Sequence, residues 1–232
     1  MSEGLFLVGT DRGVGKTIVG VALVAILRDM GVDATMMTPI ATGGSVESAV
    51  ELLREIGIEE DRRLISPLAF ETAAAPYVAS QVEKKEVDLD RVMSAYEELR
   101  GAGRFVVVEG MGAMVPITRR LTTIDLLKDF ELPSMIVART GRGTLNHCLL
   151  TLRMMQAMGE TPLGFILNGF GQYGDGFAES LNPDALVELA APVPLLATLE
   201  WRPQFHSNLG KFIKSVREQD ALVEVLNRLT RN

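Results

Sequence analysis

Cysteine is almost absent from this 232-residue chain, and Cys148 alone cannot form an internal disulfide. Histidine is nearly as scarce, with only His147 and His206. There is no apolar run of membrane-spanning length and no secretory leader, so the expected location is the cytosol. A long basic block is missing too. With 23 Lys and Arg against 30 Asp and Glu, the net charge of −7 argues against nucleic acid or an anionic membrane as a main partner and favours a small-molecule substrate. Repeats, low-complexity tracts and linkers are also lacking, and 47% hydrophobic content over this length predicts one globular domain, residues 1–232, with a sizeable core.

What the chain does have is a dense signal near its start. Residues 5–17 read as an apolar strand, a glycine-rich turn and a helix start around Gly15-Lys16-Thr17. Glycines 9, 13 and 15 let the backbone curl so that successive N–H groups point inward at phosphate oxygens. Lys16 adds a full positive charge, the helix beginning there turns its positive end toward the same anion, and the Thr17 hydroxyl suits a nucleotide-bound magnesium ion. Gly13, Val14, Gly15, Lys16, Thr17 and Ile18 are therefore expected to bind a nucleotide. The spacing is unusual, because five residues rather than four separate Gly9 from Gly15-Lys16, and Thr10 stands where the first glycine is common.

Short β-rich runs alternate with helical segments along the rest of the chain, the pattern of an α/β fold with a mostly parallel sheet and helices on both faces. Strands are predicted at 5–8, 33–37, 105–108, 134–138, 163–167 and 193–196. Helices are predicted at 16–30, 47–56, 73–82, 88–100, 144–158, 183–189 and 211–229, with irregular segments at 169–176 and 202–210. The predicted class is a single-domain, P-loop NTPase-like architecture.

In such sheets chemistry collects outside the carboxyl ends of the strands. Glu109 follows four apolar residues and precedes glycine. It is placed either to hold magnesium or to bond nearby backbone N–H groups. Asn168 ends another strand, where its amide suits an adenine edge or a plain turn before Gly169. The segment from Gly143 opens a helix whose free N–H groups suit a carboxylate or phosphate, although helix capping alone would explain it. His147 is read as a structural hydrogen-bonder, Cys148 as buried and unreactive, and Met154, Met155 and Met158 as core packing.

Taken together these motifs resemble the dethiobiotin synthetase family over nearly the whole chain. Residues 9–17 resemble that family's phosphate loop, including its extra residue and Thr-Asp pair. Pro39-Ile-Ala-Thr-Gly43 is similar to its Lys-Pro-Val-Ala-Ser/Thr-Gly, Val108-Glu-Gly-Met-Gly112 to its Val-Glu-Gly-Ala-Gly, and Gly143-Thr-Leu-Asn-His147 to its Gly-Thr/Cys-Ile-Asn-His. Residues 163–168 match the strand ending in its adenine-contacting asparagine.

The resemblance implies a homodimeric ATP- and magnesium-dependent cyclo-ligase acting on 7,8-diaminopelargonic acid. Carbon dioxide forms a carbamate on one amine, ATP phosphorylates it, and the second amine closes a cyclic urea with loss of phosphate. Lys16 and magnesium would then hold the γ-phosphate, with Thr17, Glu109 and Glu47 as metal ligands. Thr38, Thr42 and Gly112 would line the diamine site, and Thr144 to Asn146 would bind the substrate carboxylate across the dimer interface.

Three departures stand out. Thr38 occupies the place of the family lysine that contacts carbamate and γ-phosphate. Losing such a cation typically costs about 10²- to 10³-fold in rate, and Arg12 in the phosphate loop is the candidate to compensate. Glu47 replaces the family's aspartate, and Ala197 to Glu200 replaces its Gly-Glu-Ile-Pro. Two other readings therefore accompany the first: a paralogue with altered substrate or lost activity, and a partition-type nucleotide switch. Against the switch, Asp11 stands where those proteins carry an early lysine.

Overall fold

The structure is a computed structural model describing residues 3–172, 176–201 and 208–231. The expected irregular stretches at 169–176 and 202–210, and with them His206, lie partly or wholly outside those residues.

Strands β1 (Gly4–Gly9), β2 (Ala34–Met37), β5 (Phe105–Gly112), β6 (Ser134–Arg139), β7 (Phe165–Phe170) and β8 (Leu195–Glu200) form one sheet in the order β2-β5-β1-β6-β7-β8. Every pairing in it is parallel. Successive side chains on a strand point to opposite faces, so apolar residues at every position mean burial on both sides. Leu5 and Leu7 of β1 join Phe105, Val107, Met135 and Val137 in one core, while Phe6 and Val8 join Val106, Val108, Ile136 and Ala138 in the other. Helices α1 (Lys16–Asp29), α2 (Ser45–Glu55), α9 (Leu209–Arg217) and α10 (Asp220–Thr230) supply the first core; α5 (Leu89–Gly101), α6 (Thr123–Phe130), α7 (Thr144–Ala157) and α8 (Phe177–Ala190) supply the second. This is the predicted α/β, P-loop NTPase-like class.

Several boundaries differ from the expectations. A second parallel pair, β3 (Ile40–Thr42) with β4 (Leu68–Phe70), was not foreseen, nor was α3 (Arg62–Ile65) or α6. The expected helix at 73–82 begins at Pro76 as α4 (Pro76–Glu83), because Pro fits the first helical turn, where its missing N–H costs nothing. The helix expected from Pro183 starts at Phe177 instead, with Pro183 inside it. The long C-terminal helix is two, broken at residues 218–219. Among the described residues no helix is long and apolar enough to cross a membrane.

Candidate active site

The phosphate loop leaves β1 in the middle of the sheet and ends at Gly15, the residue before α1. Gly15 has φ +90°, a backbone conformation that side chains rarely adopt, and a Cβ there would stand 2.1 Å from Asn168 Nδ2. Gly9 admits the returning lysine in the same way: its Cβ would lie 2.6 Å from Lys16 Nζ. Lys16 is buried and donates to the Asp11 carbonyl at 3.1 Å, arching over the loop that it serves. Burial pushes its amine below the ordinary lysine value, with Arg12 adding to the shift while Glu109 and Asp11 oppose it. An anion in the loop would reverse that shift.

Glu109 sits beneath the loop on β5. Thr17 Oγ1 donates to its Oε1 at 2.8 Å, and Thr38 Oγ1 donates to its Oε2 at 3.2 Å. Burial raises the carboxyl above its ordinary value, opposed first by the Lys16 charge and then by the two hydroxyls. Thr38 therefore does more than omit a charge, since its hydroxyl orients the carboxylate from the side opposite Thr17. These oxygens, one carboxylate and two hydroxyls, are hard donors of the kind that magnesium accepts. Among the described residues no cluster of three or more His, Cys, Asp or Glu could hold a metal. A single protein carboxylate beside nucleotide phosphates is the usual supply for magnesium.

A cavity of about 670 Å³ opens over this floor. It brings together Arg12, Gly13, Val14, Gly15, Lys16, Thr17, Ile18, Thr38, Thr42, Glu109, Gly112 and Asn168. Arg12 reaches toward Gly43, next in sequence to Thr42: its Nη2 is 3.2 Å from the point a Cβ on Gly43 would occupy. At the other end, Asn168 Nδ2 donates to the Val14 carbonyl at 3.0 Å, so part of the amide is engaged in holding the phosphate loop. Arg139, Gln172, Glu200, Trp201 and Phe212 also line the cavity; Glu200 ends the stretch 197–200 that departs from the family, and Arg139 opens the segment after the fourth expected strand. Arg139, Gln172 and Glu200 with Trp201 lie at or just after the ends of β6, β7 and β8, where chemistry collects in such sheets.

Three expected site residues lie elsewhere. Glu47, expected as a metal ligand, does not line the cavity; its carboxylate pairs with Arg62. Glu47 is in the first turn of α2, where an ion pair with nearby α3 is within easier reach than the cavity floor. Thr144 is buried and donates to the Arg139 carbonyl at 2.6 Å, and Asn146 is exposed outside the cavity. Cys148 is buried as expected, its thiol pushed up to about 11 by desolvation against the nearby Thr144 hydroxyl.

A family described as an AAA domain matches residues 3–208. The chain is 40% identical over 205 residues to an ATP-dependent dethiobiotin synthetase BioD of Anaeromyxobacter dehalogenans (strain 2CP-C), covering 87% of this chain and 91% of that one. It is 34% identical over 223 residues to the protein of that name from Thermodesulfovibrio yellowstonii, covering 90% and 92%. Among solved structures it resembles the septum site-determining protein MinD of Pyrococcus horikoshii OT3, complexed with Mg-ADP, with a TM-score of 0.54 at 16% identity over 99% of this chain and 94% of the other. Aquifex aeolicus MinD gives 0.56 at 12% over 97% and 95%. Those two likenesses concern the fold. The sequence identities go further, and the chain belongs to the dethiobiotin synthetase family.

Proposed function

We propose that this protein, as a single domain over residues 1–232, is an ATP- and magnesium-dependent cyclo-ligase that forms the cyclic urea of dethiobiotin from 7,8-diaminopelargonic acid and CO2. The observation that carries the reading is the convergence of Lys16, Thr17 and Glu109 under one cavity that also admits Arg12, Thr42 and Asn168. In the first step an amine nitrogen attacks CO2 and loses a proton, giving a carbamate. In the second, a carbamate oxygen attacks the γ-phosphorus of ATP, and ADP leaves. The free amine then attacks the activated carbonyl, phosphate departs, and the ring closes.

Two anions must meet in the second step, so stabilisation of charge dominates what the protein has to provide. The loop N–H groups of 13–18 and Lys16 hold the phosphates, and Asn168 and Gln172 bound the base end. Arg12 faces the Thr42 side, where the guanidinium can engage carbamate and γ-phosphate oxygens together. Thr17 and Glu109 would hold magnesium, which when bound neutralises phosphate charge and orients the γ-phosphoryl group. A homodimer is part of the proposal: Asn146, Leu150 and Met154 follow one another at four-residue spacing on α7, and Leu150 is 62% exposed. That face would bring Asn146, at the start of α7 beside the buried Thr144, toward a partner's substrate carboxylate. The protein is taken to work in the cytoplasm.

Incubating the purified protein with ATP, magnesium, bicarbonate and diaminopelargonate should yield ADP, phosphate and cyclic urea. Thr38 favours a second reading, a relative with altered substrate or lost activity, because the family's cation is missing there. The two readings part on variants. If Arg12 compensates, Arg12→Ala abolishes ring closure while leaving ATP binding within about threefold, and adding Thr38→Lys to it restores part of the rate. Cyclic urea from Thr38→Lys but none from wild type would instead favour the altered relative, and full activity of Arg12→Ala would rule out compensation by Arg12.

A further inference from the structure

Glu179, in the first turn of α8, is only 4% exposed, and no step above uses it. Its Oε1 accepts the Gly171 N–H at 3.2 Å and lies 2.8 Å from Thr140 Oγ1. Thr140, itself 1% exposed, reaches the Gly169 carbonyl with the same hydroxyl at 2.8 Å, so one hydrogen is shared between two acceptors. The Thr140 N–H donates to the Asn168 carbonyl at 3.2 Å. From the next turn of the helix, Asn182 donates to the Gly141 carbonyl at 3.4 Å. The start of α8 thus stitches the end of β6 to the backbone that follows β7.

That backbone is one wall of the cavity. Asn168, Gly169 and Gln172 line it, the Gln172 N–H closes the turn onto the Gly169 carbonyl at 3.0 Å, and the Asn168 amide in turn holds Val14 of the phosphate loop. A buried carboxylate is costly unless its oxygens are hydrogen-bonded, and an apolar side chain would fill the same volume without that cost. A carboxylate at this place therefore needs a reason beyond filling space. Its oxygen accepts the Gly171 N–H in a segment whose placement sets the shape of the site.

We propose that Glu179, acting with Thr140, is a positioning residue for the nucleobase end of the nucleotide site. It touches no ligand; it holds the 168–172 segment at the distance from the phosphate loop at which the base fits. The proposal rests on the nucleotide reading given above. It predicts a loss confined to ligands that carry a base, because Lys16 and the loop N–H groups are left as they were.

Calorimetry with magnesium and two probes, ATP and inorganic tripolyphosphate, tests it on the full chain. Glu179→Ala and Thr140→Val should each weaken ATP about tenfold, the loss of one or two hydrogen bonds, and change tripolyphosphate by less than about twofold. Glu179→Gln keeps an acceptor oxygen in place and should stay within about threefold of wild type on ATP. Parallel loss of both probes, unchanged ATP affinity, or a Gln variant as weak as the Ala variant would each overturn the proposal. If Glu179→Ala fails to fold, Thr140→Val and Glu179→Gln carry the same comparison. Wild-type protein that binds tripolyphosphate but not ATP would overturn the nucleotide reading itself, an outcome separate from equal ATP binding by wild type and variants.

Discussion

Glu109 combines two demands that pull against each other. As a buried carboxylate it prefers to be neutral, and as an oxygen donor beside phosphates it must be ionised. Its folded pKa lies above the unfolded value of 4.5, so the stability gained from its protonated form is present below that value and is lost as pH rises through the folded pKa. Glu109→Gln keeps the shape without the charge. The variant should melt no lower than wild type at neutral pH, with any advantage shrinking toward pH 4, while magnesium-dependent turnover falls by at least about 10²-fold. Thermal melts across pH and a rate assay check both halves; a large loss of stability with intact turnover would make Glu109 a structural residue. The sequence exposed Glu109, Lys16 and Thr17 because each obeys a local rule of spacing or strand-end placement. It did not expose the contact between Thr38 and Glu109, which joins residues 71 apart, nor the diversion of Glu47 to Arg62, which depends on where α3 packs.

Among the elements, α6 shows how a short signal is overlooked. The Thr122 N–H donates to Asp125 Oδ2 at 2.7 Å, and the Thr122 hydroxyl reaches the same oxygen at 2.7 Å, fastening the start of an eight-residue helix. A threonine followed three residues later by a carboxylate is a capping pattern, but the helix it starts has only eight residues. Burial would raise the Asp125 carboxyl, yet the Thr122 N–H and hydroxyl hold it below its ordinary value of 3.8. Its contribution is therefore present above that value and lost as pH falls through the lower folded pKa. Asp125→Ala should cost about 1 kcal/mol at pH 7, roughly 2–4 °C in melting temperature, and the gap to wild type should close in strong acid. A gap that persists at low pH would mean that packing, not the cap, is responsible. Strands β1, β2, β5 and β6 were legible because burial on both faces makes most of each an apolar run, whereas β7 and β8 each start two residues later than expected. Strands β3 and β4, three residues each, carry no such run and exist only because they pair with one another.

At the scale of the whole molecule, the order β2-β5-β1-β6-β7-β8 puts β1 between β5 and β6, so the phosphate loop has Glu109 on one side and Arg139 on the other. This central position explains why residues drawn from across the chain reach one cavity. Assembly adds a further test. Light scattering should give twice the 25.2 kDa of one chain, and an active monomer would contradict the placing of Asn146 at a shared site. The most direct measurement of the central claim uses 13C-labelled bicarbonate with ATP, magnesium and diaminopelargonate, followed by mass spectrometry and phosphate counting. The predicted result is a cyclic urea carrying one labelled carbon, with about one ADP and one phosphate released per ring. ATP bound or hydrolysed with no label entering a urea, in the presence of this diamine, would contradict it.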